Sequence, residues 1–542
     1  MTPVSSFLRP TRRRASAASL ALALTCAAAG PAMPETVTAM ERQPDALFNF
    51  TTGDVLPRGA FRFRLGFLQT NPSIQTAGTG NQIYQSGAAF SPMEGLQFGV
   101  DYINHVDPPP RPIATDTPGR SAQVVGGGAH VKYRFYDEGP LTMSAQIAGE
   151  FLKFSSTIFG KFSQDYEFVG SAHLPVSYDV APGIRLHLTP GVSIFPGSRG
   201  GSTFYGTVAS VGAGVTWQVV ERLLVYGTVT QPLTGANTIR SDGSYGRKPV
   251  ITGGARFLFA PNSSVEVFAT NGMGTTPTTS VLTYFPNGDM VMIGAMLNLT
   301  FGRGSPEKPI YDRAPGTTLT SYQTALQSNG FTLQTPRTRD RGTVELHGEI
   351  GTDGARAAHV SVSPDHFLEL GASYEEVAND GSAAINALPG TTGRWSGTFK
   401  LQFMDQVDGF PVSLGYTFQA GRDRQKNGVL YMSLPMMREF GPNFAMTVEP
   451  KAAFFGSQEI YAVGLGASYS VTPDIRVIGE YTVRDGGRDI WAIGAKTRVQ
   501  GMPLDVGLHA TNAIGAYGIN AMTGQSDPKF GLSISVHNKL FR

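Results

Sequence analysis

Nine histidines and 41 carboxylates would be ample material for metal or acid–base chemistry, so their spacing is the first thing to test. There is no His-Glu-x-x-His and no His-x-His, and the closest pair, His359 and His366, flanks an expected turn instead of lining one strand face. Nor is there a Gly-x-Ser-x-Gly elbow or a glycine-rich phosphate loop ending in Lys-Ser/Thr. Asp505 and His509 share a face of one strand, but four residues at strand rise set their backbones about 13 Å apart. That suits two polar groups in a lumen better than an acid–base pair. The glycine clusters Gly126-Gly127-Gly128 and Gly197-Ser-Arg-Gly-Gly201 are expected to form turns. No catalytic residues, metal ligands or cofactor are expected, and the chain does not look like an enzyme.

The charged residues do follow another rule, which is alternation. In Phe61-Arg62-Phe63-Arg64-Leu65-Gly66-Phe67 the apolar side chains fall on one face and Arg62, Arg64 and Gly66 on the other, the period of a strand between two different media. The same alternation sets Asp101, Lys132, Arg134, Arg185 and Glu266 opposite apolar neighbours. Further along it does so for Glu345, Glu349, Glu369, Lys400, Arg476, Glu480, Lys496, Arg498 and Asp505. Phe98 and Leu370 are expected on the apolar face, turned to lipid. The inward charges are expected either to pair across strands or to face water and bias the passage of ions or polar polymers. Tryptophan is scarce (Trp217, Trp395, Trp491), which gives no aromatic slide for sugars.

Composition narrows the class. Of 542 residues 66 are Gly, only 15% are charged, and no stretch after residue 30 approaches the roughly 18 consecutive apolar residues of a spanning helix. Residues 1–30 read as a signal peptide, with Arg9 to Arg14 basic, Ala15 to Leu24 apolar, and a small-residue stretch after them. Cys26, the single cysteine, would be the site of lipidation in a lipoprotein, but Ala23-Leu24-Thr25 departs from a lipobox, so ordinary cleavage is expected. Without the leader arginines the formal charge of +2 falls to about −2, and nucleic acid is excluded as a partner. High glycine, low charge, a signal peptide and period-two patterning over some 500 residues together predict an all-β, antiparallel outer-membrane barrel, because in lipid a closed barrel pairs every backbone group.

The pattern repeats. Roughly twelve alternating segments lie between Gly59 and Phe301 and roughly twelve between Arg341 and Phe541. Gly95-Leu-Gln-Phe-Gly-Val-Asp-Tyr102 matches Phe367-Leu-Glu-Leu-Gly-Ala-Ser-Tyr374, and Val131-Lys-Tyr-Arg-Phe-Tyr-Asp137 matches Phe399-Lys-Leu-Gln-Phe-Met-Asp405. Ala269-Thr-Asn-Gly-Met-Gly274 in turn matches Ala510-Thr-Asn-Ala-Ile-Gly515. Collinear matches of this kind predict a duplication. The expected organisation is a signal peptide (1–30), an N-terminal periplasmic segment (31–58), a first barrel repeat (59–301), a periplasmic linker (302–341) and a second barrel repeat (342–542). The linker carries a short helix, Tyr322 to Asn329, ended by Gly330. Two tandem barrels of about 12 strands are expected, with one barrel of about 24 as the alternative.

Leu56-Pro-Arg-Gly-Ala60, then Phe90-Ser-Pro-Met-Glu-Gly-Leu-Gln-Phe-Gly-Val-Asp-Tyr102, then Val131-Lys-Tyr-Arg-Phe135 resembles the start of YjbH/GfcD-type outer-membrane proteins. Ala325-Leu-Gln-Ser-Asn-Gly-Phe331 is similar to the small segment such proteins carry between barrels. The resemblance covers about half the chain. It implies a non-catalytic accessory or conduit role in exopolysaccharide or capsule export, with outer-membrane lipid, lipopolysaccharide, polysaccharide and export machinery as partners. A general pore for small polar solutes is the other expectation.

Overall fold

The computed structural model describes residues 44–70, 81–114, 121–159, 165–199, 201–220, 223–260, 263–302, 329–377, 393–408, 410–423, 428–455 and 458–539. The leader with Cys26 and residues 322–328 of the expected helix Tyr322 to Asn329 lie outside them.

Two antiparallel barrels follow one another along the chain, each closing on itself. In the first, Ala60–Thr70 pairs with Met292–Gly302 in a register that sets Phe63 opposite Leu299, while Ile184–Ile194 pairs with Thr207–Val220 to complete the ring. In the second, Thr343–Gly351 pairs with Gly524–Lys539, with Leu346 opposite Val536. Each ring is twelve strands around, one of them broken in two. The break has the same cause in both. Glu167–His173 and Val176–Ala181 are separated by Leu174-Pro175, and Gly428–Ser433 and Met436–Phe440 by Leu434-Pro435. Proline cannot donate to the ladder, and the leucine N–H before it finds Pro190 O or Pro450 O, each at 2.9 Å. Among the described residues the only helical pieces are single 3-10 turns such as Thr279–Val281 and Asn520–Met522.

Gly126, Gly127 and Gly128 do not form a turn. They lie inside the strand Ala122–Glu138, where a Cβ on Gly126 or Gly127 would strike the Phe151 or Asp101 carbonyl of the neighbouring strands. Here glycine permits close backbone approach.

The outward faces are apolar, as expected of a sheet facing hydrocarbon. Phe98, Ile147, Leu186, Leu346, Ile493 and Leu508 are all exposed to the surroundings. One flank of each barrel departs from this, because there the two barrels pack on each other. Phe257 and Val265 cluster with Phe367, Leu368 and Leu401, and Ala295 clusters with Phe418, Leu430 and Phe454. Leu370 belongs to this seam and does not face lipid, since its partner is the other barrel. A polar lock closes the seam: Arg422 reaches Asp107 at 2.9 Å and Gln82 at 2.8 Å, and Gln82 donates to the Gly421 carbonyl at 3.0 Å.

Candidate functional site: two plugged lumens

The residue stretch in front of each barrel's first strand turns up into that barrel's own lumen. In the first barrel this is Asp45 to Leu56, built around the two-residue strands Ala46–Leu47 and Phe50–Thr51. Asp45 pairs with Arg62 and accepts a hydrogen bond from Gln97 at 3.0 Å, while Lys132 Nζ donates to the Asp45 carbonyl at 2.7 Å. Glu266 accepts the Phe48 N–H at 2.9 Å and pairs with Arg256 at 2.6 Å, and Arg64 donates to the Phe48 carbonyl at 3.1 Å. Farther round the wall Arg185 holds Asp54 at 2.8 Å and Asp179 at 3.2 Å, and Ser177 accepts the Gly53 N–H at 2.8 Å. The Phe48 ring stacks on Phe268 at 3.9 Å.

Burial and neighbouring charge balance in opposite directions at the two plug acids. Burial by itself would raise Asp45, yet Arg62, Lys132 and the Gln97 amide bring its carboxyl down to about 2. Burial also raises Asp54, and there it outweighs Arg185, so that carboxyl is pushed up to about 6.

The second barrel repeats the device with different chemistry. Its plug runs from Asn329 to Arg339. Glu480 accepts the N–H groups of Phe331 (3.0 Å) and Thr332 (2.7 Å), and Glu449 accepts that of Gln334 (3.2 Å). The plug carbonyls are held by cations: Asn329 O by Arg476 and Lys496, Gly330 O by Lys496, Thr332 O by Lys451. Lys400, the sequence counterpart of Lys132, holds the Asn329 side chain at 3.0 Å. Arg337 is fully buried between Asp405 (2.9 Å) and Glu439 (2.8 Å), and Arg339 pairs with Glu345 at 2.9 Å.

A loop enters each lumen from the opposite end. In the first barrel the Thr278 N–H donates to Glu150 at 2.8 Å and the Pro277 carbonyl lies 3.2 Å from His173 Nε2. In the second, the N–H groups of Ala516 (2.7 Å) and Tyr517 (3.1 Å) donate to Glu375, and Tyr517 stacks on His359. Between plug and loop a cavity of about 50 Å³ remains in the first barrel and one of about 80 Å³ in the second, room for a few waters.

Of the charges expected to line the lumens, Arg62, Arg64, Lys132, Arg185, Glu266, Glu345, Lys400, Arg476, Glu480 and Lys496 all bind a plug. The others meet partners elsewhere. Asp101 pairs with His130 at 2.8 Å, and Arg134 with Glu94 and Asp137 at the turn beside it. Arg498 pairs with Asp505 at 3.2 Å, Glu349 lies 3.6 Å from His509, and Glu369 faces Lys400 in register. Asp505 and His509 do not act together, since His509 stacks on plug residue Phe331 at 4.4 Å. Strand periodicity does not reveal the plugs themselves, because Asp45, Phe48, Asp54, Phe331, Arg337 and Arg339 lie outside the strands. Asp45 to Leu56 of the expected segment 31–58 and Asn329 to Arg339 of the expected linker 302–341 thus run into the lumens. A faint sequence signal exists in Leu47-Phe-Asn-Phe50, an apolar run placed where a solvated segment would be polar.

No protein family matches the chain, and no curated protein sequence does. Among solved structures, the KdgM porin in complex with disordered oligogalacturonate is similar over 36% of this chain and 98% of its own, at 8% identity and a TM-score of 0.28. The NanC porin is similar over 45% and 99%, at 8% and 0.28. The siderophore receptor PirA of Pseudomonas aeruginosa matches over 90% and 81%, at 8% and 0.20. Scores of this size add nothing to a fold that rests on its own strand pairing. What decides the class is the pair of closed seams with apolar outer faces. The chain is an outer-membrane double β-barrel. In this protein, the tandem barrels are lipid-facing outside and polar inside, and each carries its plug at the start of its own repeat.

Proposed function

We propose that this double barrel is a non-catalytic component of envelope polysaccharide export, with lumens that are gated and not permanently open. The observation that carries this is the plug. Each lumen is walled by charged side chains, yet the segment preceding its own first strand fills it, and a diffusion pore for small solutes needs a standing water column. The resemblance of Leu56 to Phe135 to YjbH/GfcD-type proteins supports polysaccharide as the cargo or client. Outer-membrane lipid and lipopolysaccharide are the surroundings that the apolar belts suit.

The polar wall of the second cavity favours the other reading, a porin-like channel for small polar solutes. Two measurements separate them. Purified protein in a planar bilayer is expected to be nearly silent, and a strain lacking the gene is expected to release less polysaccharide until the gene is restored. Steady large conductance from the unaltered protein, with polysaccharide release unchanged in the deletion strain, would favour the small-solute channel and overturn the export reading.

A further inference from the structure

We infer that the passage, when it opens, runs through the second barrel, and that the first barrel is its permanently closed anchor. This rests on the gated-lumen reading above and assigns it to one lumen.

The two plugs are held by forces that respond differently to water. In the first barrel Leu47, Phe48 and Phe50 are at most 5% exposed, and they join one continuous apolar core with Phe154, Tyr284 and Phe285 of the opposite half. Plug, wall and in-folded loop are therefore a single hydrophobic body. Withdrawing the plug would expose three large apolar side chains, with nothing in water to replace that contact. The loop above is itself tied down: Asn237 donates to the Val281 carbonyl at 2.8 Å and accepts the Thr283 N–H at 3.0 Å through its own carbonyl.

The second plug is mostly polar and sits in a polar wall. The apolar cluster beneath its outer loops, which includes Tyr431, Ile514, Ile519 and Met522, contains no plug residue; of the plug's two buried apolar side chains, Leu333 joins no large cluster, and Phe331 shares a small one with Ile478 and Ala492 and stacks on His509. What grips the plug between Asn329 and Gln334 is Glu480, Glu449, Lys451, Lys496 and Arg476, which hydrogen-bond its backbone, while Arg337 farther along is anchored by Asp405 and Glu439. Water can take over such bonds, because folding exchanges them for hydrogen bonds of nearly equal strength to solvent. The larger of the two cavities already lies above this plug. Its wall mixes Glu345, Glu349, Glu369 and Asp505 with Lys400 and Lys496, both signs in one lumen, so an opened second lumen would discriminate only weakly by sign of charge, with a slight bias toward cations. That suits an uncharged, polyhydroxylated chain.

The test replaces residues 45–55 or residues 329–338 with a Gly/Ser stretch of equal length. Each full-length protein is purified from outer membranes, checked for heat-modifiable migration and recorded in a planar bilayer. Replacement of 329–338 is expected to produce conductance steps with little preference for cation or anion, and a neutral maltodextrin is expected to interrupt them. Replacement of 45–55 is expected to leave the protein closed, because the rest of the same core, with Phe154, Tyr284 and Phe285, still lies across the lumen. Steps from the 45–55 replacement alone, or from neither, would overturn the inference. Should the 329–338 replacement fail to assemble, F331A combined with T332A loosens the same plug at constant chain length. Brief openings are then expected at least tenfold more often than in the unaltered protein, and no increase would overturn it. Polysaccharide release is scored separately: if the second lumen opens but deleting the gene leaves release unchanged, the export reading fails while the lumen assignment stands.

Discussion

Asn271 and Asn512 make the same two hydrogen bonds in the two barrels. Asn271 accepts the Ile251 N–H at 2.7 Å and donates to the Pro249 carbonyl at 2.9 Å, and Asn512 accepts the Trp491 N–H at 2.8 Å and donates to the Asp489 carbonyl at 2.9 Å. The threonine before each asparagine completes the match. Thr270 and Thr511 donate to the carbonyls of Ile251 and Trp491 and accept the N–H of Gly272 and Ala513. This Thr-Asn pair ends the eleventh strand and turns the following loop into the lumen, so the duplication includes the loop as well as the wall.

Removing that device should release the loop while leaving the wall closed. Asn271→Ala and Asn512→Ala each leave a backbone donor and acceptor short of a partner, at a cost of about 1–3 kcal/mol. Protease added to intact cells is expected to cleave the released loop faster than in the unaltered protein, with heat-modifiable migration unchanged. Equal cleavage rates would show that the asparagines do not hold the loops.

Separate closure predicts specific neighbours. In a background without Cys26, cysteines at positions 63 and 299, and at 346 and 536, are expected to crosslink, because each pair stands directly opposite in register. Cysteines at 63 and 534 are expected not to. The reverse pattern would establish one large barrel.

Docking of the barrels should depend on the lock at the seam. Asp107 and Arg422 carry side chains only 6% and 17% exposed, so Arg422→Ala is expected to cost about 3 kcal/mol by leaving a buried carboxylate unpaired. Adding Asp107→Asn should recover part of that loss. Unfolding in detergent, followed for both single variants and the double, measures the coupling, and strict additivity would mean the pair does not interact.

Acidity should act on the first plug in two opposite steps. Asp54 has a folded value of about 6, above its ordinary 3.8, so its contribution to docking is full below about 4 and lost as pH rises through 6. Asp45, at about 2, contributes above about 4, and that contribution, roughly 2 kcal/mol, is lost as pH falls toward 2. Protection of the Phe48 amide, its hydrogen exchange relative to the unfolded rate at the same pH, is expected to be greatest near pH 4. Asp45→Asn should remove the acid limb and Asp54→Asn the neutral one; a flat profile in the unaltered protein would contradict both.

The two faces of the wall should differ in tolerance. Phe98→Arg and Leu508→Arg place a cation in hydrocarbon, at about 2–4 kcal/mol near the midplane, and should reduce the assembled amount in the membrane. Glu369→Arg, facing the lumen, should assemble more fully. Equal loss on both faces would mean the facing of these strands is inverted.

Alternation determined a two-faced sheet, and low charge with high glycine made its apolar face a wall against lipid. Arg62 between Phe61 and Phe63, or Lys400 between Phe399 and Leu401, needs an apolar medium on one side and polar surroundings on the other, and that constraint is local, two residues long. The duplication was equally legible, down to Ala-Thr-Asn in both copies, because matched turns need matched residues. What fills the lumens was not legible, since a plug makes no periodic contacts. Asp45 finds Arg62 and Lys132, and Phe331 finds Glu480, through chain closure that only the assembled ring provides. For the same reason Leu370 reads as lipid-facing: lipid and a second barrel are equally apolar, and an alternating strand cannot tell which one its outer face will meet.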